Sequence, residues 1–131
     1  MTLNQVCGKW TGIQTFLKDA CYFMCLCTIA DELDSKYDFI DAINMCIDRG
    51  WMRGDGYIVD ALSVLWQLTG RQFKLEKLDC VPDKVKESQF TVLKYRRGDI
   101  THFRRRFVDT VVNSQTVKYG KLEKVYLFEV V

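Results

Sequence analysis

The sequence has little of the material from which linkers, zinc sites and membrane spans are built. Its 131 residues include one Pro and one His, which argues against a Pro-rich linker and against zinc ligation by histidines. No Cys-x-x-Cys pair occurs among the six Cys. The longest apolar stretch runs from Ala20 to Ala30 and falls short of the ~18 residues that a spanning helix needs. We therefore expect no metal and no membrane span.

Neither a strong charge nor a cofactor fingerprint is present. Lys and Arg number 19 against 17 Asp and Glu, a net charge of +2, which does not by itself indicate a nucleic-acid or membrane partner. The only Gly-rich stretch, Gly54-Asp55-Gly56, lacks the third Gly and the preceding strand of a phosphate-binding fingerprint. We expect no cofactor.

The start of the chain and its Cys residues favour a cytoplasmic location. Met1 to Val6 lacks the basic start and apolar core of a signal peptide. Three Cys cluster on one segment instead of being spread between loops, at Cys21, Cys25 and Cys27. We expect reduced thiols, most of them small buried hydrophobes.

What is present indicates one globular α+β domain over residues 1–131. Hydrophobic residues make up 48% of the chain and charged residues 27%, a globular balance. The first half reads as helices at about Lys18–Leu33, apolar on all sides; at Lys36–Asp48, with Ser35 as its cap; and at Tyr57–Leu68, closed by Gly70. Runs of helices followed by runs of strands are typical of an α+β fold with an antiparallel sheet.

Alternating apolar residues in the second half predict strands. They begin at Phe73–Leu75 and continue at Gln89–Arg96, Asp99–Arg104, Phe107–Val112 and Lys124–Val131. If Arg105-Arg106 is a two-residue hairpin loop, His102 lies opposite Asp109, where a carboxylate can orient an imidazole. A longer loop of even length would keep both side chains on one face but out of register.

Cys21 and Gln14, which lie earlier in the chain than His102, complete a candidate active site. Cys21 lies near the start of the most apolar helix, where unsatisfied N–H groups and the helix dipole favour a thiolate. Gln14 can donate its side-chain amide to a developing oxyanion. Cys21 as nucleophile, His102 as acid and base, Asp109 as orienter and Gln14 as oxyanion donor follow the logic of a Cys–His triad.

This order of residues resembles a papain-like cysteine peptidase domain. The stretches that carry the resemblance are Gln14 to Met24, Thr101-His102-Phe103 and Val108-Asp109. The chain is most similar to the minimal bacterial type typified by bacteriocin-processing, double-glycine leader peptidases, and to small uncharacterised phage- or plasmid-borne relatives. The resemblance implies a central helix packed on a C-terminal antiparallel sheet. It also implies cofactor-free hydrolysis of a peptide or related amide through an acyl-enzyme at Cys21.

Two other functions stay open at this stage. One is a papain-like domain with weak or lost catalysis that serves as a binding module. The other is a binder of acidic partners through a basic cluster made of Arg96-Arg97 and Arg104-Arg105-Arg106, since Arg binds carboxylates and phosphates in a bidentate fashion. Phe90, Tyr95, Phe103 and Phe107 lie among these arginines, as in single-strand binders, but a nucleic-acid partner is not favoured because no RNA-binding motif accompanies them.

Overall fold

A computed structural model describes residues 20–105 and 120–131 of the chain. Within these residues helices come first and strands follow, which confirms the α+β class. The elements are α1 Cys21–Glu32, α2 Phe39–Asp48, α3 Ala61–Thr69, β1 Phe73–Leu78, β2 Gln89–Arg97, β3 Ile100–Arg105 and β4 Lys121–Val130.

The four strands form one antiparallel sheet in the order β1-β4-β2-β3. Side chains alternate between its two sides. On the helix-facing side, Phe90, Val92 and Phe128 join the core formed with the helices. On the opposite side, Leu93 and Val125 are also buried but do not belong to that core. Both sides of the sheet therefore carry buried residues, but only those on the helix-facing side belong to the core formed with the helices.

Helix α1 is buried on all sides, as its sequence predicts. Every residue from Phe23 to Ala30 is buried. Cys25 and Cys27 are fully enclosed and serve as packing residues, which confirms the expectation for these two thiols. Within the described ranges, no helix combines the length and the apolar character needed to cross a membrane.

Helix α2 begins three residues later than predicted because its cap is Asp38 rather than Ser35. The Asp38 carboxylate accepts a hydrogen bond from the backbone N–H of Asp41 at 3.0 Å. It thus satisfies one of the donors that every helix start leaves open. The predicted Ser35 cap was wrong because a second capping residue, Asp38, directly precedes the first residue of the helix.

Helix α3 is also shorter than predicted and begins at Ala61, not Tyr57. Asp60 caps it by accepting from the backbone N–H of Ser63 at 3.1 Å and from the Ser63 hydroxyl at 2.7 Å. The residues before the cap are held in a loop by a single β-bridge between Met52 and Ile58. Gly70 ends the helix with φ 70°, as expected for a glycine in the left-handed region.

Strand β3 continues one residue further than predicted. Arg105 pairs with Val92 of β2, so it is a strand residue and not the first residue of a hairpin loop. The predicted strand 107–112, and with it the pairing of His102 with Asp109, lies outside the described residues.

Candidate functional site

The two described members of the predicted triad lie on different sides of the sheet. Cys21 is the first residue of α1, is half-buried and lines a groove on the helix-facing side. His102 lies in β3 between Thr101 and Phe103, which line that same groove. Since the β2–β3 register is uninterrupted, alternation directs the His102 side chain to the opposite side. Gln14 and Asp109 lie outside the described residues, so the catalytic set stays a prediction.

The surroundings of His102 disfavour the charged form of its imidazole. Only 7% of its surface is exposed, and this burial lowers its pKa because the charged form loses solvation. The positive charge of Arg104, two residues along the same side of the strand, lowers the His102 pKa further.

The groove on the helix-facing side crosses all four strands and encloses about 500 Å³. Its floor is formed by side chains of the sheet, and its walls by the start of α1 and the loop before α3. The described lining residues, which define what we call the cross-strand groove, are Cys21, Tyr22, Tyr57, Ile58, Val59, Ala61, Leu75, Lys77, Lys94, Arg96, Asp99, Thr101, Phe103 and Tyr126.

Three stacked aromatic rings form one part of the groove. The ring of Tyr22 lies 4.3 Å from that of Phe103 and 5.7 Å from that of Tyr126, both nearly parallel to it. Burial raises the pKa of the Tyr22 phenol far above its ordinary value, so this group remains protonated. The stack joins the first turn of α1 to β3 and β4 and presents planar apolar surface to the groove.

Three cationic side chains, Lys77, Lys94 and Arg96, line the groove beside this stack. The Lys77 ammonium lies 5.7 Å from the centre of the Tyr126 ring, a cation–π distance. Lys94 and Arg96 share one carboxylate: Glu123 lies 3.5 Å from Lys94 Nζ and 2.6 Å from Arg96 Nε. The groove therefore combines aromatic surface with cationic side chains.

The arginines of the basic cluster do not share one surface. Arg105 is 3% exposed and is part of the helix–sheet contact: its guanidinium donates to the Thr28 hydroxyl at 2.9 Å and to the Thr91 carbonyl at 2.7 Å. Arg104 is directed to the opposite side by strand alternation, and Arg106 lies outside the described residues. Among the described arginines of the cluster, only Arg96 lines the groove.

Sequence reasoning missed Lys77 and Lys94 as site residues. The available signal was the alternation of β2, in which Lys94 and Arg96 are two residues apart and so project to one side of the sheet. The runs of arginine in the sequence indicate a basic cluster, but adjacent residues in a strand project to opposite sides of the sheet.

Neither a metal site nor a match to a known protein assigns the class of this protein. In the described parts of the chain, no group of three or more His, Cys, Asp or Glu side chains is arranged to hold a metal ion. No protein-family model, curated protein or solved structure matches the chain. The fold class is α+β, and any assignment of function depends on the geometry of the groove.

Proposed function

We propose that this domain is a binding module that takes an acidic peptide segment in the cross-strand groove. The observation that carries the proposal is that Lys77, Lys94 and Arg96 line one concave site together with a stack of aromatic rings. Cationic heads recognise carboxylates, and aromatic faces pack against the apolar parts of a bound chain.

The dimensions of the groove suit an extended peptide. A floor that reaches from β1 to β3 crosses three inter-strand spacings, ~14 Å in total. An extended chain of about four residues has this length at its usual rise per residue. The enclosed volume of about 500 Å³ lies within the range of ordinary ligand pockets.

The charge distribution favours an acidic peptide over a nucleic acid. Nucleic-acid binding depends on several phosphate contacts along a broad basic surface. Here Arg105 is used inside the fold, and Arg104 faces the other side of the sheet. Three cations in a small site are suited to one or two carboxylates.

The papain-like relationship and thiol hydrolysis form the second candidate. A buried helix that begins at Cys21 and packs on an antiparallel sheet supports the relationship. The position of Cys21 on the wall of the groove supports a hydrolase, because a peptide bound there would lie against the sulfur. The direction of the His102 side chain argues against it, since a general base must come within hydrogen-bond reach of its nucleophile.

Binding of a fluorescently labelled poly-glutamate peptide, measured by anisotropy at low ionic strength, tests the first proposal. We expect saturable binding that weakens about tenfold in Lys94→Ala and weakens further with added salt. Lys74→Ala is the matched control, because Lys74 lies on a strand of the same sheet, pairs with Glu129 at 3.3 Å and does not line the groove. Equal loss in both variants, or no binding by the unaltered protein, would refute the proposal.

Alkylation by iodoacetamide, read out by peptide mass, tests the second candidate. A working Cys–His pair requires that Cys21 be the fastest-labelled thiol and that His102→Ala slow its labelling. A binding module requires no such dependence. If the Cys21 rate is the same with and without His102, then His102 does not activate this thiol.

A further inference from the structure

We propose that Glu123 is an internal competitor for the acidic ligand and sets the affinity of the cross-strand groove. This inference rests on the proposed function, since it concerns the regulation of the same site. The Glu123 carboxylate contacts both Lys94 and Arg96, one oxygen to each, as a bound carboxylate of the ligand would.

The backbone places Glu123 there by an irregularity in the sheet. Lys94 pairs with Lys124, but the next residue of β2, Tyr95, pairs with Leu122, so Glu123 is an extra residue of β4 at a β-bulge. In a regular strand, Glu123 would be directed away from the side on which Lys124 and Lys94 lie. A bulge re-aims a side chain locally, and here it allows the carboxylate to reach the two cations.

The contact is well suited to exchange with a ligand. The side chains of Glu123 and Arg96 are 37% and 51% exposed, whereas that of Lys94 is 22% exposed. The hydrogen bond from Arg96 lowers the pKa of the Glu123 carboxyl, so it is charged at neutral pH. Partly exposed ion pairs are weak and screened by solvent, and an incoming carboxylate can therefore displace this one without breaking the fold.

Replacing Glu123→Gln tests this inference, with Glu129→Gln as the matched control. Both changes remove one carboxylate charge from β4, but Glu129 pairs with Lys74 away from the groove. With labelled poly-glutamate as the probe, Glu123→Gln should tighten binding about tenfold, the size expected from two partly exposed pairs, and Glu129→Gln should tighten it much less. Glu123→Ala should behave like Glu123→Gln.

The failures of this inference and of the proposed function are distinguishable. If the unaltered protein binds the probe and Glu123→Gln binds equally or more weakly, the competitor role is refuted while the binding function stands. Equal tightening by Glu123→Gln and Glu129→Gln would show an effect of net charge alone and would also refute it. If neither the unaltered protein nor the Glu123 variants bind, both proposals are refuted.

Discussion

Two regions on the same side of the sheet hold cations in contrasting ways. At the inner end, where α1 covers the sheet, Arg105 is enclosed and bonded to Thr28, to the Thr91 carbonyl and to Glu32, the last at 2.6 Å. At the outer end, beyond the start of α1, Lys94 and Arg96 share a single exposed carboxylate and line the cross-strand groove.

The difference shows how burial separates a structural charge from a charge available for binding. A buried guanidinium requires a partner for nearly every donor, because leaving one unpaired costs more than the bond is worth. A partly exposed cation can exchange its partner for water or for a ligand at little cost. Arg105 is therefore expected to support stability, and Arg96 to support binding.

The largest effect should come from Arg105→Ala, which removes the only guanidinium that joins β3 to α1 in the described part of the chain. We expect a loss of about 3 kcal/mol in the free energy of unfolding, because the change leaves the Thr28 hydroxyl and the Thr91 carbonyl without this buried donor and removes the ion pair with Glu32. Arg96→Ala should cost much less, as is usual for exposed sites. Urea denaturation of both variants measures the contrast, and equal losses would abolish it.

A smaller effect should distinguish the two helix caps. Asp38→Ala and Asp60→Ala each remove an N-cap and should each cost about 1 kcal/mol in unfolding free energy. Only Asp60 caps the helix that follows the groove wall Tyr57–Val59. We therefore expect Asp60→Ala alone to weaken poly-glutamate binding. If Asp38→Ala weakens binding as much, the effect reflects general destabilisation rather than the wall of the groove.

The smallest effect concerns the opposite side of the sheet and depends on pH. Burial and Arg104 lower the pKa of His102 in the folded protein, so the unfolded chain binds a proton more readily. The contribution of His102 to stability is fully present above its pKa in the unfolded chain, about 6.5. This contribution is lost as the pH falls from there toward the lower pKa of His102 in the folded protein. Thermal unfolding between pH 7 and pH 5 should show this loss, and His102→Gln should reduce it. An unchanged pH profile in His102→Gln would contradict the burial of a neutral imidazole.

The sequence contains enough to predict the elements and the buried helix, since apolar residues on every side of Phe23–Ala30 require that other elements enclose it. The first residue of a helix is harder to predict from the sequence. Ser35 and Asp38 are both residue types that cap helices well, and only the fold selects between them. The direction of His102 follows from strand alternation once Phe103 is known to face Tyr22. That contact joins distant parts of the chain and leaves no local signal in the sequence.

The site was harder to predict than the fold for the same reason. Lys77 and Lys94 belong to strands that are not adjacent in the sheet, because β4 lies between them. The contact of Glu123 with Lys94 and Arg96 depends on a bulge in β4. The residue types of β4 do not predict where this bulge lies. Local patterns indicate which residues form strands, but the convergence of side chains from several strands depends on the order in which the strands pair.

A titration of isotopically labelled protein with poly-glutamate, followed by backbone amide chemical shifts, tests most directly where an acidic ligand binds. We predict that the largest shifts fall at Lys77, Lys94, Arg96 and Tyr126, that Thr28 and Arg105 stay nearly unchanged, and that added salt reverses the shifts. Largest shifts at His102 and Arg104 on the opposite side of the sheet, or no shifts at any residue, would contradict the assignment of the cross-strand groove as the binding site.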